Sequence, residues 1–82
     1  MRISVKLFSN LMEYLPAGTE GNTVALQLAE PATSACILQR LKIPAESVQV
    51  VMVNGEFQSL EKRLEHLSDS DTVSIWPAIQ GG

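Results

Sequence analysis

Hydrophobic and polar residues alternate one by one at the start of the chain, over residues 2–8. The apolar face of this stretch consists of Ile3, Val5 and Leu7. The alternation returns over residues 23–29, after a loop rich in turn-forming residues. A period of two is typical of a half-buried strand, so the pattern predicts two strands paired as an antiparallel hairpin. Residues 10–15 carry leucine and methionine at helical spacing, which predicts a short helical turn after the first strand.

One helix is predicted after this hairpin. Thr33 and Ser34 follow Pro31, and their side chains can accept hydrogen bonds from the free N–H groups of a first helical turn. The apolar stripe that follows consists of Ile37, Leu38 and Leu41. Pro44 cannot continue a helix because it lacks an N–H group, so we expect the helix to end before it.

The second half of the chain predicts three more strands. Residues 48–53 are mostly apolar and β-branched, which is typical of a largely buried strand. They end at Asn54-Gly55, a strong hairpin signal because both residues tolerate positive φ. A short strand around Phe57 should pair across this turn. Leucines between 60 and 67 mark a helical or irregular connection, and residues 71–76 form the last strand.

The order of elements is therefore strand, strand, helix, strand, short strand, strand. Apolar strands near both ends of the chain predict that the first and last strands lie side by side and parallel in the centre of a sheet. The expected fold class is α+β: a mixed sheet of four to five strands with one main helix packed on one face. This order fits the β-grasp arrangement of ubiquitin-like proteins. We expect residues 1–82 to form a single domain, with 77–82 as a flexible C-terminal tail.

Length, composition and charge limit the classes of function. The chain has 82 residues, 45% of them hydrophobic, which fits one small globular domain. Its formal net charge is −3 and its basic residues are scattered, so nucleic acid is not expected as a partner. No apolar run approaches the roughly 20 residues of a membrane span, and the alternating start does not fit a signal peptide. We expect no membrane association and a cytoplasmic location.

The residues most often used in catalysis are isolated. Cys36 is the only cysteine, so it has no partner for a disulfide or a metal pair. Its apolar helical neighbours favour a buried structural thiol over a nucleophile. His66 is the only histidine, and we interpret it as a surface residue. No catalytic constellation and no metal site is expected within the chain.

The last two residues, Gly81 and Gly82, are the candidate reactive group. A terminal glycine presents its carboxylate without a side chain, and the neighbouring glycine adopts backbone conformations closed to other residues. Such an end can pass through a narrow channel in a partner. The alternative is that two glycines are merely a frayed terminus. The absence of other chemistry in the chain favours a terminal carboxylate that is modified by a partner.

A partner surface is predicted at the root of the tail. Val73 and Ile75 of the last strand share one face, so Trp76 points to the other, and the parity of the first strand sends Phe8 to that same open face. Contiguous exposed aromatic residues favour a binding surface. Pro77 and Ile79 extend this surface into the tail. The alternative is that Phe8 turns back into the core and Trp76 packs only against Pro77.

Several segments carry a family resemblance over nearly the whole chain. They are Leu7-Phe8-Ser9 with Leu11 and Glu13, Thr33 at the helix start, Val53-Asn54-Gly55, the polar turn within 67–73, and Trp76-Pro77-Ala78-Ile79-Gln80-Gly81-Gly82. The last block is the most specific, because an Asp-x-Asp turn, a strand, a proline and a final Gly-Gly are uncommon in that order. The chain resembles the ubiquitin-like sulfur carriers of the MoaD/ThiS family, most closely the branch of molybdopterin synthase small subunits (MoaD).

The resemblance implies a carrier whose own domain catalyses no bond formation and holds no cofactor. A ubiquitin-activating-like adenylyltransferase, similar to MoeB or ThiF, uses ATP to join the Gly82 carboxylate to AMP. Sulfur from a persulfide donor then replaces AMP and leaves a thiocarboxylate. In molybdopterin synthase the tail inserts into the large, MoaE-like subunit. There the sulfur passes to the pterin precursor in molybdenum cofactor biosynthesis.

Three alternatives stay open. A ThiS-type carrier for thiamine biosynthesis shares the fold and the Gly-Gly end, although the chain length and the helical turn after the first strand favour the molybdopterin branch. A ubiquitin-like protein modifier is activated in the same way, but a lysine amine captures its carbonyl. A non-covalent β-grasp binding module would use the open face alone, with an incidental tail.

Overall fold

The computed structural model describes residues 1–78. Within them the chain forms five strands and one α-helix. The strands are β1 (Arg2–Leu7), β2 (Thr23–Gln27), β3 (Val48–Val53), β4 (Glu56–Phe57) and β5 (Thr72–Pro77), and the helix is α1 (Ser34–Leu41). Short 3₁₀ helices lie at Ser9–Tyr14, Ala45–Ser47 and Lys62–Leu64. The predicted order of elements is confirmed.

One mixed sheet contains all five strands, in the spatial order β2-β1-β5-β3-β4. β1 and β5 run parallel in its centre, with Ser4 opposite Thr72 and Leu7 opposite Ile75. The other neighbouring pairs are antiparallel. Two parallel neighbours need a long crossover between them, and here the rest of the domain provides it. The predicted pairing of the first and last strands is confirmed.

The core lies between α1 and one face of the sheet. α1 contributes Ile37 and Leu41, and alternate residues of the central strands meet them. The fully buried strand residues are Ile3, Val5, Leu7, Val51, Val73 and Ile75. Complete burial of a side chain of this size contributes roughly 1.5–3 kcal/mol. This face of the sheet therefore supplies most of the apolar stabilisation of the domain.

α1 begins and ends where the sequence predicts. Thr33 is the N-cap residue, and its backbone N–H donates to Sγ of Cys36 at 3.4 Å. Lys42 ends the helix in a left-handed conformation with φ of 61°, and its N–H donates to the Gln39 carbonyl at 3.2 Å. Pro44 follows shortly after. The thiol of the half-buried Cys36 thus serves the start of the helix, in line with a structural role.

The Asn54-Gly55 turn joins β3 to β4 in the predicted way. Both residues have positive φ, 52° at Asn54 and 84° at Gly55, and the pairing across the turn sets Met52 opposite Phe57. A two-residue turn of this kind matches the right-handed twist of the strands it connects. The Asn54 side chain also donates to Asp71 at 2.9 Å, which ties the hairpin to the residue before β5.

The connection from β4 to β5 is mostly irregular. Within residues 58–71, helical geometry is limited to the 3₁₀ helix at Lys62–Leu64. Leu60 and Leu64 are 75% and 73% exposed, whereas Leu67 packs against the core. Only the last of the three leucines in this connection therefore contributes to the core.

Candidate functional site

Phe8 and Trp76 meet on the open face of the sheet, the face that α1 does not cover. Trp76 follows the buried Ile75 in β5 and so points away from the core. The register that sets Leu7 opposite Ile75 continues to Phe8, whose N–H donates to the Ile75 carbonyl at 3.2 Å. The two rings stack, with centroids 4.3 Å apart and 4° between their planes. The two aromatic residues singled out from the sequence are therefore in contact.

Both aromatic residues keep accessible surface. Each is half-buried, and neither belongs to the buried core. The alternative in which Phe8 turns back into the core is therefore wrong. Two rings that already stack on each other lose little further freedom on docking, which suits them as rigid anchors for a partner.

Sequence reasoning missed three more apolar residues on this face. β3 pairs with β5 so that Val50 lies opposite Trp76, and Met52 shares the parity of Val50. Phe57 lies opposite Met52 and is 57% exposed. We call the resulting row of side chains the open-face strip, which consists of Phe8, Trp76, Val50, Met52 and Phe57. A contiguous apolar row of this kind is typical of an interaction surface.

The composition of β3 hides these residues from pattern analysis. Both alternating sets of β3 are mostly apolar, with Gln49 the single polar residue, so the segment has the pattern of a buried strand without a clear preferred face. Only pairing with β5 separates the set that faces the core from the set that faces outward. The Asn54-Gly55 turn did carry a usable signal for the contact between Met52 and Phe57, because a two-residue turn sets residue 52 opposite residue 57.

The open-face strip has a cationic border. By strand parity, Arg2 and Lys6 of β1 project to the open face, opposite uncharged residues of β2. Among the five strands, no acidic residue shares this parity, because the single acidic strand residue, Glu56, is paired with Val53 on the other side. The strand residues of this face are thus apolar, uncharged polar or basic, although the chain has a formal net charge of −3. This face complements a partner surface that is apolar with an acidic rim.

The base of the tail is held to the sheet. Pro77 is the last residue of β5 and lies opposite Val48, and the Ala78 N–H donates to the Ser47 carbonyl at 2.9 Å. The sequence predicts a flexible tail from residue 77; in the structure, the start of β3 provides the partner of Pro77, and the 3₁₀ helix before β3 provides that of Ala78. Outside the described residues lie Ile79, Gly81 and Gly82, together with the rest of the predicted tail.

Two shallow grooves flank the base of the tail. One, of about 360 Å³, is lined by Ser9, Gln49, Val50, Trp76 and Pro77. The other, of about 160 Å³, lies beside the first two 3₁₀ helices, and its lining includes Glu13, Glu46 and Ala78. Within residues 1–78, a groove therefore lies on each side of the base of the tail.

Other chemistry-bearing side chains are dispersed. His66 is exposed, and the Cys36 thiol is engaged at the start of α1. Within residues 1–78, no group of three or more His, Cys, Asp or Glu side chains is placed to hold a metal ion. In the same part of the chain, every helix is too short or too polar to cross a membrane. The open-face strip and the base of the tail, Pro77 and Ala78, form the candidate site.

Comparison with known proteins gives one family match. The model of the ThiS family matches residues 5–82. None of the curated proteins matches the chain.

Solved structures share the fold over nearly the full length. SAMP1 from Haloferax volcanii has a TM-score of 0.68 at 21% identity, with 100% of both chains covered. A putative molybdopterin converting factor, subunit 1, from Pyrococcus furiosus has a TM-score of 0.70 at 22% identity, covering 95% of this chain and 98% of that one. A chain of the complex of subunits 1 and 2 of molybdopterin-converting factor from Helicobacter pylori has a TM-score of 0.59 at 19% identity, with 100% of both covered. These likenesses show the β-grasp fold.

Proposed function

The chain belongs to the ThiS family, and from this premise we propose that it is a sulfur carrier, the small subunit of a molybdopterin synthase. The observation that carries the proposal is that the family match runs to residue 82 and so includes Gly81 and Gly82. A family pattern that extends over these glycines favours a working carboxylate over a frayed end. The accessible open-face strip beside the tail supports a carrier that docks on other proteins.

The proposed chemistry takes place at Gly82, in active sites that belong to partners. An oxygen of the Gly82 carboxylate attacks the α-phosphate of ATP, which forms an acyl adenylate and releases pyrophosphate. A persulfide sulfur then attacks the acyl carbon, and AMP leaves. A thiol next attacks the donor's sulfur, which forms a disulfide and frees the thiocarboxylate. The missing side chain leaves this carbonyl open to each nucleophile.

The described part of the domain contributes position. The open-face strip docks on the partner, and the bond between Ala78 and Ser47 holds the base of the tail. From Ala78 to Gly82 a fully extended chain spans at most about 14 Å, so the partner's reacting groups lie within that distance of the docked sheet. Holding the acyl group there turns an encounter between two molecules into a reaction within one complex.

Three protein partners are proposed. The receiving partner is a MoaE-like large subunit, and this is supported by the Helicobacter pylori relative, which was solved as a complex of subunits 1 and 2. The activating partner is a MoeB/ThiF-like adenylyltransferase that uses ATP. The sulfur comes from a protein persulfide. We place this reaction sequence in the cytoplasm, and the chain itself needs no bound cofactor for it.

Mass spectrometry of the intact chain tests the proposal. After incubation with the cognate adenylyltransferase, ATP and a persulfide donor, we expect a mass gain that corresponds to one oxygen replaced by sulfur, located at Gly82 by fragmentation. A chain that lacks Gly82 is the control, and it should stay folded and unmodified. A wild-type chain that keeps its mass under conditions in which a known carrier is converted contradicts the proposal.

A protein modifier is the second candidate function. It is favoured by the likeness to the Haloferax volcanii protein known as small archaeal modifier protein 1. In this case a lysine amine attacks the activated Gly82 carbonyl and forms an isopeptide bond. Isopeptide-linked adducts in cells would favour the modifier, whereas a free thiocarboxylate without adducts favours the sulfur carrier.

A ThiS-type carrier of the thiamine pathway remains the alternative within sulfur transfer, and the match to the ThiS family supports it. The two carriers differ in the protein that receives the sulfur. Binding of the thiocarboxylated chain to a MoaE-like subunit, followed by loss of its sulfur to the pterin precursor, distinguishes the molybdopterin branch.

A further inference from the structure

A β-bulge lies in β3 directly beside the base of the tail. Val48 lies opposite Pro77 and Val50 opposite Trp76, so the register of the pairing shifts by one residue at Gln49. A bulge bends its strand and redirects the residues next to it. Here the bulge lies close to Ser47, whose carbonyl accepts the Ala78 N–H at 2.9 Å. The position of the tail base therefore depends on how the bulge is held.

Arg63 holds this bulge from outside the sheet. Its Nη2 group donates to the Gln49 carbonyl at 2.9 Å, and its Nε donates to the Gln58 carbonyl at 3.4 Å. Gln58 is itself buried, and its N–H donates to the Val51 carbonyl of β3 at 2.8 Å. Hydrogen bonds from a charged group are stronger than neutral ones. The guanidinium thus ties the bulge to a connection that is anchored on β3.

We propose that Arg63 is a positioning residue for the C-terminal tail, an inference that rests on the proposed function. Without the guanidinium the Gln49 carbonyl loses its cationic donor, so the bulge and the adjoining Ser47 carbonyl gain freedom. The tail then leaves the sheet from a variable position. Displacement of a reacting group by about 1 Å slows a reaction by up to about a hundredfold. Arg63 acts on the base of the tail through Gln49 and the nearby Ser47 carbonyl.

The chain offers a matched control. Arg40 of α1 donates through Nη1 to the Gln27 carbonyl of β2 at 3.0 Å. This is the same kind of bond, but β2 lies at the far edge of the sheet from β3. Arg63→Ala and Arg40→Ala therefore remove the same charge and a bond to a strand carbonyl, and Arg63→Ala also removes the bond to Gln58. Only Arg63 is beside the tail base. Arg63→Lys and Arg40→Lys keep the charge with a smaller set of donors.

Hydrogen exchange followed by NMR on the full chain measures the tail base directly. We expect Arg63→Ala to speed exchange of the Ala78 amide by about fivefold or more, since a restraint of hydrogen-bond strength is lost, with Arg63→Lys in between. Arg40→Ala should leave this amide unchanged. Amides of β1 in the same spectra report whether each variant is folded, and if Arg63→Ala unfolds, the two lysine variants make the comparison instead. If the Ala78 amide exchanges equally fast in Arg63→Ala and Arg40→Ala, or in the two lysine variants when these replace them, the proposal is wrong.

Sulfur transfer measures the consequence for the tail. A chain with a preformed thiocarboxylate is mixed with the large subunit, and loss of the thiocarboxylate is followed in a single turnover. We expect Arg63→Ala to slow transfer about tenfold, while Kd for the large subunit stays within about twofold because the open-face strip is intact. Transfer as fast as in Arg40→Ala overturns the positioning role.

Failure of the inference and failure of the proposed function are distinguishable. A wild-type chain that never acquires a thiocarboxylate counts against the sulfur-carrier function. The exchange measurement needs only the chain itself, so it still decides whether Arg63 holds the tail base.

Discussion

Neighbouring residues of β5 lie in contrasting environments. Ile75 is completely buried in the core, whereas Trp76 stacks on Phe8 and keeps part of its surface accessible on the open face. The same contrast runs along β1 and β3, because alternation divides each strand into a core set and an open set. Stability and recognition are thus assigned to opposite faces of the same strands. Substitutions at adjacent residues should therefore affect either stability or partner binding, depending on the face.

Ile75→Ala is expected to have the largest effect, on the core side of this comparison. It removes a completely buried side chain and should lower the free energy of unfolding by about 2–5 kcal/mol. Small domains have only about 5–15 kcal/mol in total, so much of the stability is lost. Urea unfolding followed by circular dichroism measures it, with Ile75→Val as the graded control at about 0.5–1.5 kcal/mol. A loss below about 1 kcal/mol for the alanine variant would mean that this face is not tightly packed.

Trp76→Ala tests the open side. It removes the stack on Phe8, which contributes about 0.5–1.5 kcal/mol beyond the area that the ring buries. The total loss of unfolding free energy should stay below that of Ile75→Ala, because the ring keeps accessible surface. Binding of the large subunit should weaken by about 2 kcal/mol or more, roughly thirtyfold in Kd, as for a central aromatic anchor. Isothermal titration calorimetry gives Kd, and Ser74→Ala on the same face is the control. Similar Kd values for Trp76→Ala and Ser74→Ala would show that the open-face strip is not part of the interface.

Lys6→Glu should have the smallest effect and refines the comparison within the open face. Lys6 borders the open-face strip, so reversing its charge should slow association with an acidic-rimmed partner by a few-fold at low salt and less at high salt. Unfolding should change by less than about 0.5 kcal/mol because the side chain is exposed. Stopped-flow association measures the rate, and Lys62→Glu, outside the sheet, is the control. Equal slowing by both variants would indicate a net-charge effect instead of a specific border.

Local chemistry made much of the fold predictable. Thr33 and Pro44 bracket α1 because capping and a missing N–H act within a few residues. Asn54-Gly55 sets its turn through positive φ. Strand parity likewise placed Trp76 on the side away from the core.

The candidate site was predictable only in part. Phe8 and Trp76 were identified from parity, but Val50 and Met52 were not, because both sets of residues in β3 are mostly apolar and only the partner strand distinguishes them. The bond that holds Ala78 joins it to Ser47, and the bulge beside that bond is held by Arg63. These contacts link residues far apart in the chain, and no short pattern marks them.

The sequence by itself determined the periods of its strands and helix, the points at which they start and stop, and the pair of glycines, Gly81 and Gly82, proposed to carry the chemistry. Only the tertiary structure decided which side of β3 faces outward, that the two aromatic rings stack, and that the sheet holds the chain as far as Ala78. The physical reason is the separation along the chain over which each interaction acts. Propensity, capping and turn geometry act between residues close in the chain, whereas register, and with it the face on which each side chain lies, is set by strands that meet only after folding.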